Sequence, residues 1–274
     1  MEVPLLGGFV NTVHRVGDTV RRTAGPWTPT IHALLHHLED VGFVEAPRAL
    51  GVDEQGREVL DWLPGTAVPW NEWPDALIVG DGVEQLAWML RRYHDAVATF
   101  TVPADATWRN PLAPRTGELV RHGDPSPFNS LWQGGRVTGL IDWDFAQPGH
   151  AITDVAYLAR YAVPVAPVRA LADYGLPVGL DRGARLRRLC MAYGGVTPSE
   201  VLAELKTLIQ REIHETRTLS GHGMHPWIQF AHDGNVEVWS REVQWLGSST
   251  GSSLLDTDST SRFPPAQAPE GSNG

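Results

Sequence analysis

Three oxygen-bearing side chains fall within one short segment, at spacings that could bring them together. Asn129 precedes a strand-like run and Asp142 follows the return run of the same hairpin, whose turn is at Gln133-Gly134-Gly135. In an antiparallel hairpin the start of one strand lies beside the end of the other, at about 4.5 to 5.5 Å between α-carbons, so we expect Asn129 and Asp142 to be neighbours. Asp124 lies nearby, in a loop whose prolines restrict the backbone. Carboxylate and amide oxygens suit Mg²⁺, so the segment predicts a magnesium site.

The composition limits the classes of protein to consider. With 274 residues and 42% hydrophobic content, the chain has room for one large domain or two lobes with their own cores. A net charge of -10 argues against broad nucleic-acid binding, because clustered Lys and Arg hold phosphate backbones. No run reaches the roughly 18 to 20 apolar residues that a membrane helix needs, and the first residues lack a signal-peptide pattern. We therefore expect a cytoplasmic protein without nucleic-acid or membrane partners.

The first part of the chain predicts a small antiparallel β-rich lobe over residues 1–63. Strand-like runs at 13–16 and 19–22 are joined at Gly17-Asp18, which suits a tight hairpin turn. Two more short strands are expected at 48–52 and 58–62. Between the two pairs an apolar stripe at helical spacing predicts a helix, with Thr28 as N-cap and Pro29 at its first position. The stripe consists of Ile31, Leu34, Leu35 and Leu38.

Helical spacing dominates after the Pro-Gly break at residues 64–65. Three apolar stripes, at 86–97, 186–193 and 201–213, predict helices and hence a mainly helical lobe over 64–246. The last stretch, 247–274, is rich in Ser, Gly and Pro and is expected to be a disordered tail.

The pattern His-x-Asp-x-x-x-x-Asn, from His122 to Asn129, is followed after the hairpin by Ile141-Asp142-Trp143. This resembles the catalytic loop and the metal-binding aspartate of the aminoglycoside phosphotransferase and choline kinase family. The similarity continues through Asp144, Gly149-His150 and Asp154-Val155-Ala156. The resemblance implies an α+β, bilobal, protein-kinase-like fold, with a small antiparallel β N-lobe and a mainly helical C-lobe.

The resemblance also implies an activity, which is the transfer of the γ-phosphoryl group of ATP to a hydroxyl of a small molecule, aminoglycoside-like or another metabolite. Asp124 would be the catalytic residue that orients or deprotonates the acceptor hydroxyl. Asn129 and Asp142 would hold Mg²⁺ on the ATP phosphates. His122 would pack under the loop as an organiser, rather than act as an acid or base.

Two outer motifs are similar to the family's nucleotide site. A Gly-Gly-x-x-Asn hairpin near the start would let the backbone approach the phosphates, because glycine has no β-carbon. A hinge-like segment before the Pro-Gly break would offer backbone groups to adenine. The residues expected to contact the nucleotide are Gly7, Gly8, Asn11, Asp61, Trp62 and Leu63.

The first lobe departs from the family pattern because it contains no lysine. Kinases of this type usually carry a lysine on the third strand, paired with a glutamate on the following helix. In this chain Arg21 is the best substitute and Arg22 the next, while Ile31 or His32 stands where the glutamate is expected. An arginine keeps the charge, but its planar fork differs in shape from an ammonium group.

Two other readings of the same residues remain open. A non-catalytic kinase-like protein would keep the cleft and bind a ligand without turnover, and a metal-dependent hydrolase would use the same carboxylates with water. Asp144 is expected to support the metal site from behind, and Asp154 to cap a helix and tie down the loop. The Gly7-Gly8 pair also suits a plain hairpin bend, and Arg21 a solvated strand position.

Overall fold

The computed structural model describes residues 2–5, 13–69, 72–165, 171, 175–177 and 179–248. Strands dominate the first part of this chain and helices the rest, as the sequence predicts. Gly7, Gly8, Asn11 and most of the predicted tail at 247–274 lie outside the described residues.

The first part is built on one antiparallel sheet of five strands, in the order β1-β2-β3-β5-β4. The β2/β3 hairpin turns at Gly17, whose φ of 60° is a left-handed conformation that glycine adopts without strain. The predicted hairpin is therefore confirmed. The strands are β1 (Glu2–Leu5), β2 (Val13–Val16), β3 (Thr19–Thr23), β4 (Ala49–Val52) and β5 (Arg57–Asp61).

Helix α1 (Thr28–Asp40) follows β3, and its predicted apolar stripe is buried in the core. The predicted N-cap is wrong by one position. Trp27 precedes the helix and Thr28 is its first residue, so Pro29 takes the second position. The Thr28 hydroxyl instead accepts a hydrogen bond from the Gly25 N–H at 2.9 Å, which closes the turn that leads into the helix.

The second part is mainly helical and contains two small sheets that frame the predicted catalytic segment. One has the order β6-β8-β9, and the other pairs β7 with β10. The helices predicted at 86–97, 186–193 and 201–213 are confirmed. The strands are β6 (Thr66–Ala67), β7 (Leu119–Arg121), β8 (Ser130–Gln133), β9 (Arg136–Leu140) and β10 (Gln147–Gly149). The helices are α2 (Asp75–Ile78), α3 (Gly82–Val97), α4 (Ala151–Ala162), α5 (Arg182–Tyr193), α6 (Pro198–Gly221), α7 (Trp227–His232) and α8 (Asn235–Leu246). Among these described helices, none combines the length and apolarity that crossing a membrane would need.

Trp143 joins the turn after β9 to the core beneath the predicted site. Its ring lies 4.4 Å from the His122 ring and 4.9 Å from the Tyr93 ring, centroid to centroid, and its indole N–H donates to the Leu140 carbonyl at 3.0 Å. The Tyr93 hydroxyl donates in turn to the Val120 carbonyl of β7 at 2.6 Å. One aromatic cluster thus joins the end of β7 to the end of β9.

Replacing Trp143 with alanine should lower the free energy of unfolding by about 3 to 5 kcal/mol, because the substitution leaves a large cavity in a well-packed core. Trp88 on α3 is the matched control, since it is 50% exposed and its replacement by alanine should change stability by less than about 0.5 kcal/mol. Urea denaturation of both variants measures the difference. Equal losses would contradict the supporting role of Trp143.

Candidate active site

The loop that follows β7 is held by a buried carboxylate. Asp154, in the first turn of α4, accepts hydrogen bonds from the backbone N–H groups of His122 at 2.6 Å and Gly123 at 3.1 Å. His94 lies 3.3 Å from the same carboxylate. The expected tie to the loop is therefore present. The expected cap is not, because His150 occupies the N-cap position of α4.

Gly123 brings this loop against the turn that contains Trp143. Its φ is 91°, and a β-carbon at this position would lie 2.0 Å from the Phe145 carbonyl oxygen. Glycine is required on both counts, since other residues strain at this φ and such a contact is sterically impossible. The two segments of the site therefore meet backbone to backbone.

The β8/β9 hairpin brings Asn129 and Asp142 together. Ser130 pairs with Leu140, and the Ile141 N–H donates to the Asn129 carbonyl at 2.8 Å, which extends the ladder to the residue before Asp142. The Asn129 side-chain N–H donates to the Asp124 carbonyl at 3.0 Å, which ties it back to the loop. The amide oxygen of Asn129 is the group left to act as a ligand.

Asp124 sits in surroundings that disfavour its charge. Burial raises the pKa of its carboxyl to about 7, and the neighbouring charge of Asp142 acts in the same direction. Hydrogen bonds from the side chains of Tyr157, Ser126 and Asn129 oppose this rise. A carboxyl group with such a pKa can exchange a proton near neutral pH, as a general base must.

His122 is fully buried, and burial lowers the pKa of its imidazole to about 4. Its Nδ1 accepts the backbone N–H of Asp124 at 3.2 Å. A neutral imidazole with this contact shapes the loop beside Asp124, as expected from the sequence.

The side chain of Arg22 contacts three carboxylates, one of which is that of Asp142. Its guanidinium donates from Nη1 to Asp142 at 3.0 Å, from Nη2 to Asp144 and from Nε to Glu58. Arg22 is only 6% exposed, and the three carboxylates outweigh the effect of burial and raise its pKa. Arg109 also donates to Asp144, so that carboxylate lies between two guanidinium groups.

The expectation that Arg21 faces the site is wrong. Successive residues of a strand point to opposite faces, and Arg22 opposes Glu58 across the β3/β5 ladder, on the face turned toward Asp142. Arg21 lies on the other face, 3.4 Å from Asp53, and donates to the Thr19 hydroxyl. The expected register is therefore off by one residue.

The expected acidic partner also comes from a different element. Neither Ile31 nor His32 of α1 supplies a carboxylate, and Glu58 of β5 pairs with the arginine instead. His32 contacts the second oxygen of Glu58 at 3.0 Å. Alternation along β5, which places Glu58 and Leu60 on the face of α1, was the available signal.

The hinge-like segment is only partly available to a ligand. The backbone N–H of Asp61 donates to the Arg48 carbonyl at 3.0 Å and that of Trp62 to the Asp18 carbonyl at 3.0 Å. The Trp62 ring, with the Arg15 guanidinium 4.0 Å above it, lines a shallow groove on the sheet. Leu63, the residue after Trp62, is half-buried.

Within the described residues no cluster of three or more His, Cys, Asp or Glu side chains could hold a metal by themselves. A site with one carboxylate and one amide fits Mg²⁺ nevertheless, because this ion commonly binds through one or two protein ligands together with substrate phosphates. The Asp142 side chain is 40% exposed, which leaves it accessible to a cation from solvent.

The chain is similar to several known proteins. Residues 103–187 match the sequence model of a phosphotransferase enzyme family. A trifolitoxin immunity protein of Rhizobium leguminosarum bv. trifolii is 40% identical over 163 residues, a match that covers 57% of this chain and 59% of the relative. The chain thus aligns with less than two thirds of that relative's length.

Two solved structures share the fold. A choline/ethanolamine kinase family protein from Mesorhizobium loti superposes with a TM-score of 0.59 at 16% identity, covering 93% of this chain and 91% of its own. The GDP complex of aminoglycoside 2'-phosphotransferase-IIIa gives 0.58 at 17% identity, covering 89% and 92%. These similarities confirm the predicted α+β, bilobal, kinase-like fold. They also confirm the resemblance to the aminoglycoside phosphotransferase and choline kinase family.

The raised pKa of Asp124 predicts a pH-dependent cost to stability. Its pKa is 3.8 in an unfolded chain and about 7 in the folded protein, so the folded state binds more protons and loses stability as the pH rises between these values. Asp124→Asn removes this loss. Without divalent metal, the Tm of the variant should exceed that of the wild type by a margin that grows from about pH 4 to about pH 7 and then stays constant.

Asp18→Asn is the control for this comparison, because the Asp18 side chain is 99% exposed and its removal should leave no such trend. A margin for Asp124→Asn that is independent of pH would show that the carboxyl ionises normally in the folded protein.

Proposed function

We propose that this protein, a relative of the phosphotransferase enzyme family, moves the γ-phosphoryl group of ATP to a hydroxyl of a small molecule with the help of Mg²⁺. The main support is the convergence of Asp124, Asn129 and Asp142 around one hairpin and one tied loop. Each residue type suits its proposed role, since Asp124 offers a carboxyl that can take a proton near neutral pH and the other two offer oxygen ligands for a hard cation.

In the proposed reaction the acceptor oxygen forms a bond to the γ-phosphorus, while the bond from this phosphorus to the β,γ-bridging oxygen breaks and ADP leaves. The hydroxyl proton passes to the Asp124 carboxylate. The raised pKa of Asp124 favours this transfer, since a stronger acid would hold the proton poorly. The tie between Asp154 and the loop fixes the position from which Asp124 acts.

The proposed metal ligands are the Asn129 amide oxygen and the Asp142 carboxylate. Arg22 engages Oδ1 of Asp142, which leaves Oδ2 for a cation. Bound Mg²⁺ would neutralise charge on the phosphate oxygens. Asp144 contacts Arg22 and Arg109 rather than the cleft, so it supports the site from behind.

The groove beside Trp62 is the proposed place for the nucleotide base. Cross-strand pairing puts Val3, Arg15 and Val20 on the same face of the sheet as Arg22, so the groove leads toward Asp142. A planar base can stack on an indole or a guanidinium. Gly7, Gly8 and Asn11 remain proposed phosphate contacts outside the described residues. The GDP bound by one structural neighbour supports a nucleotide site in this fold and leaves the choice between ATP and GTP open.

The lobe boundary near residue 63 and the cytoplasmic location are part of the same proposal. The segment 64–246 would form the C-lobe with the catalytic loop, and 1–63 the nucleotide-binding N-lobe. The five-stranded sheet ends at Asp61, which supports this division.

A second candidate function is ligand binding without phosphoryl transfer. The observation that favours it is that Arg22, in place of a lysine, already engages Asp142 and Asp144. The relative with 40% identity is named as an immunity protein, and immunity to a toxin could come from modifying it or from sequestering it. The two functions differ in whether a product forms.

Asp142→Ala should abolish Mg²⁺-dependent binding of ATP, because it removes the only carboxylate proposed to hold the metal. Isothermal titration calorimetry of wild type and variant, each with and without Mg²⁺, measures this effect. Asp53→Ala, on the opposite face of the sheet, should bind as the wild type does. Wild-type protein that binds no nucleotide would overturn the proposed kinase function and favour the ligand-binding alternative.

Asp124→Asn should lower transfer at least about a hundredfold while leaving Mg·ATP binding intact, because a proposed general base contributes about 10² to 10⁴ to the rate. Mass spectrometry of a panel of hydroxyl acceptors incubated with ATP measures the product. The variant should thus be more stable and nearly inactive. If Asp124→Asn transfers phosphate as fast as the wild type does, the proposed role of Asp124 is contradicted. Release of phosphate without an acceptor product would indicate a hydrolase.

A further inference from the structure

The guanidinium of Arg22 is engaged along its whole outer edge. Nε faces Glu58, Nη1 faces Asp142 and Nη2 faces Asp144, so each of its three nitrogens has its own carboxylate. These partners come from β5 and from the turn after β9. The arginine therefore bridges the first sheet and the segment that carries the proposed metal ligand.

Glu58 and Asp144 are fixed more firmly than Asp142. Both are 1% exposed, whereas the Asp142 side chain is 40% exposed. His32 contacts Glu58 from α1, and Arg109 contacts Asp144 from the other side. The buried carboxylates of Glu58 and Asp144 thus fix the plane of the guanidinium, and the carboxylate of Asp142 is the one exposed to solvent.

A lysine could not replace this arrangement. Its ammonium is a single nitrogen at the end of a flexible stem, while guanidinium nitrogens spread in a rigid plane. One ammonium can satisfy Glu58 or reach the Asp142–Asp144 turn, and it cannot fix the orientation of Asp142 as a planar donor does. The arginine in β3 therefore does more than conserve a positive charge.

Resting on the proposed function, we propose that Glu58 and Asp144 are positioning residues that hold Arg22, and that Arg22 orients the Asp142 carboxylate for Mg²⁺. Arg22 donates to Oδ1 of Asp142, so Oδ2 would be the oxygen available to hold the metal. Residues behind a metal ligand set its geometry, and their loss typically lowers metal affinity by about 10- to 100-fold.

The test is the gain in ATP affinity that Mg²⁺ provides, measured by calorimetry as the ratio of Kd without and with the metal. Arg22→Lys and Glu58→Gln should each reduce this gain by about tenfold or more. Arg57→Lys is the matched control, because Arg57 precedes Glu58 on the same strand and pairs with Asp53 and Glu2 on the other face. It should leave the gain unchanged.

The result separates positioning from its alternatives. If a variant weakens ATP binding equally with and without Mg²⁺, Arg22 contacts the phosphates directly and the positioning role is overturned. An unchanged gain in both Arg22→Lys and Glu58→Gln overturns it as well. Asp144→Asn is a second route to the same answer if thermal unfolding shows that Arg22→Lys does not fold.

The Mg²⁺-dependent gain in ATP affinity of the wild-type protein distinguishes a failure of this inference from a failure of the proposed function. Wild-type protein that gains nothing from Mg²⁺ overturns both, since no metal then needs orienting. If Mg²⁺ raises the ATP affinity of the wild type and of the variants equally, only the positioning role of Glu58, Asp144 and Arg22 is overturned. The phosphotransferase proposal then stays in place.

Discussion

A buried arginine must stay charged and must be paired, and this constraint determines how the first sheet meets the rest of the protein. Arg22 is 6% exposed, so an unmatched charge there would be very unfavourable. Its carboxylate partners lie on β5 and on the turn after β9, and Arg109 extends the same network into the irregular segment before β7. Removing one partner of such a buried pair typically costs about 3 to 5 kcal/mol, so these segments hold one another in place.

The loop that carries Asp124 depends on a second buried carboxylate, which binds backbone N–H groups as well as charged side chains. Asp154 accepts the N–H groups of His122 and Gly123, and the aromatic rings of Tyr93 and Trp143 fill the space below. The loop can then keep Asp124 half-buried without collapsing around it. The raised pKa of Asp124 follows from this support, since a flexible loop would let water reach the carboxylate.

The parts predicted from the sequence are those with a local pattern. The hairpin register that joins Asn129 to Asp142 and the stripes of the helices follow from periods of 2 and 3.6 residues, and both appear in the structure. The choice between Arg21 and Arg22 could not be made this way, because alternation gives two faces and only tertiary packing decides which one meets the site. The ion-pair network was beyond sequence reasoning for a different reason. Alternation along β5 places Glu58 on the face of α1, but it does not identify Arg22, which is 36 residues away, as the partner. Arg109 lies in a segment without helical or strand periodicity, so no pattern points to it.

Asp142 has a backbone conformation that its side chain does not explain. Its φ of 63° and ψ of 69° belong to the left-handed region, where a residue other than glycine costs roughly 1 to 2 kcal/mol. The fold alone would therefore favour glycine at this position, and asparagine or aspartate would be the next most tolerated. A carboxylate at a position suited to glycine gains the contact with Arg22, and the backbone strain measures the stability that is lost in placing it there.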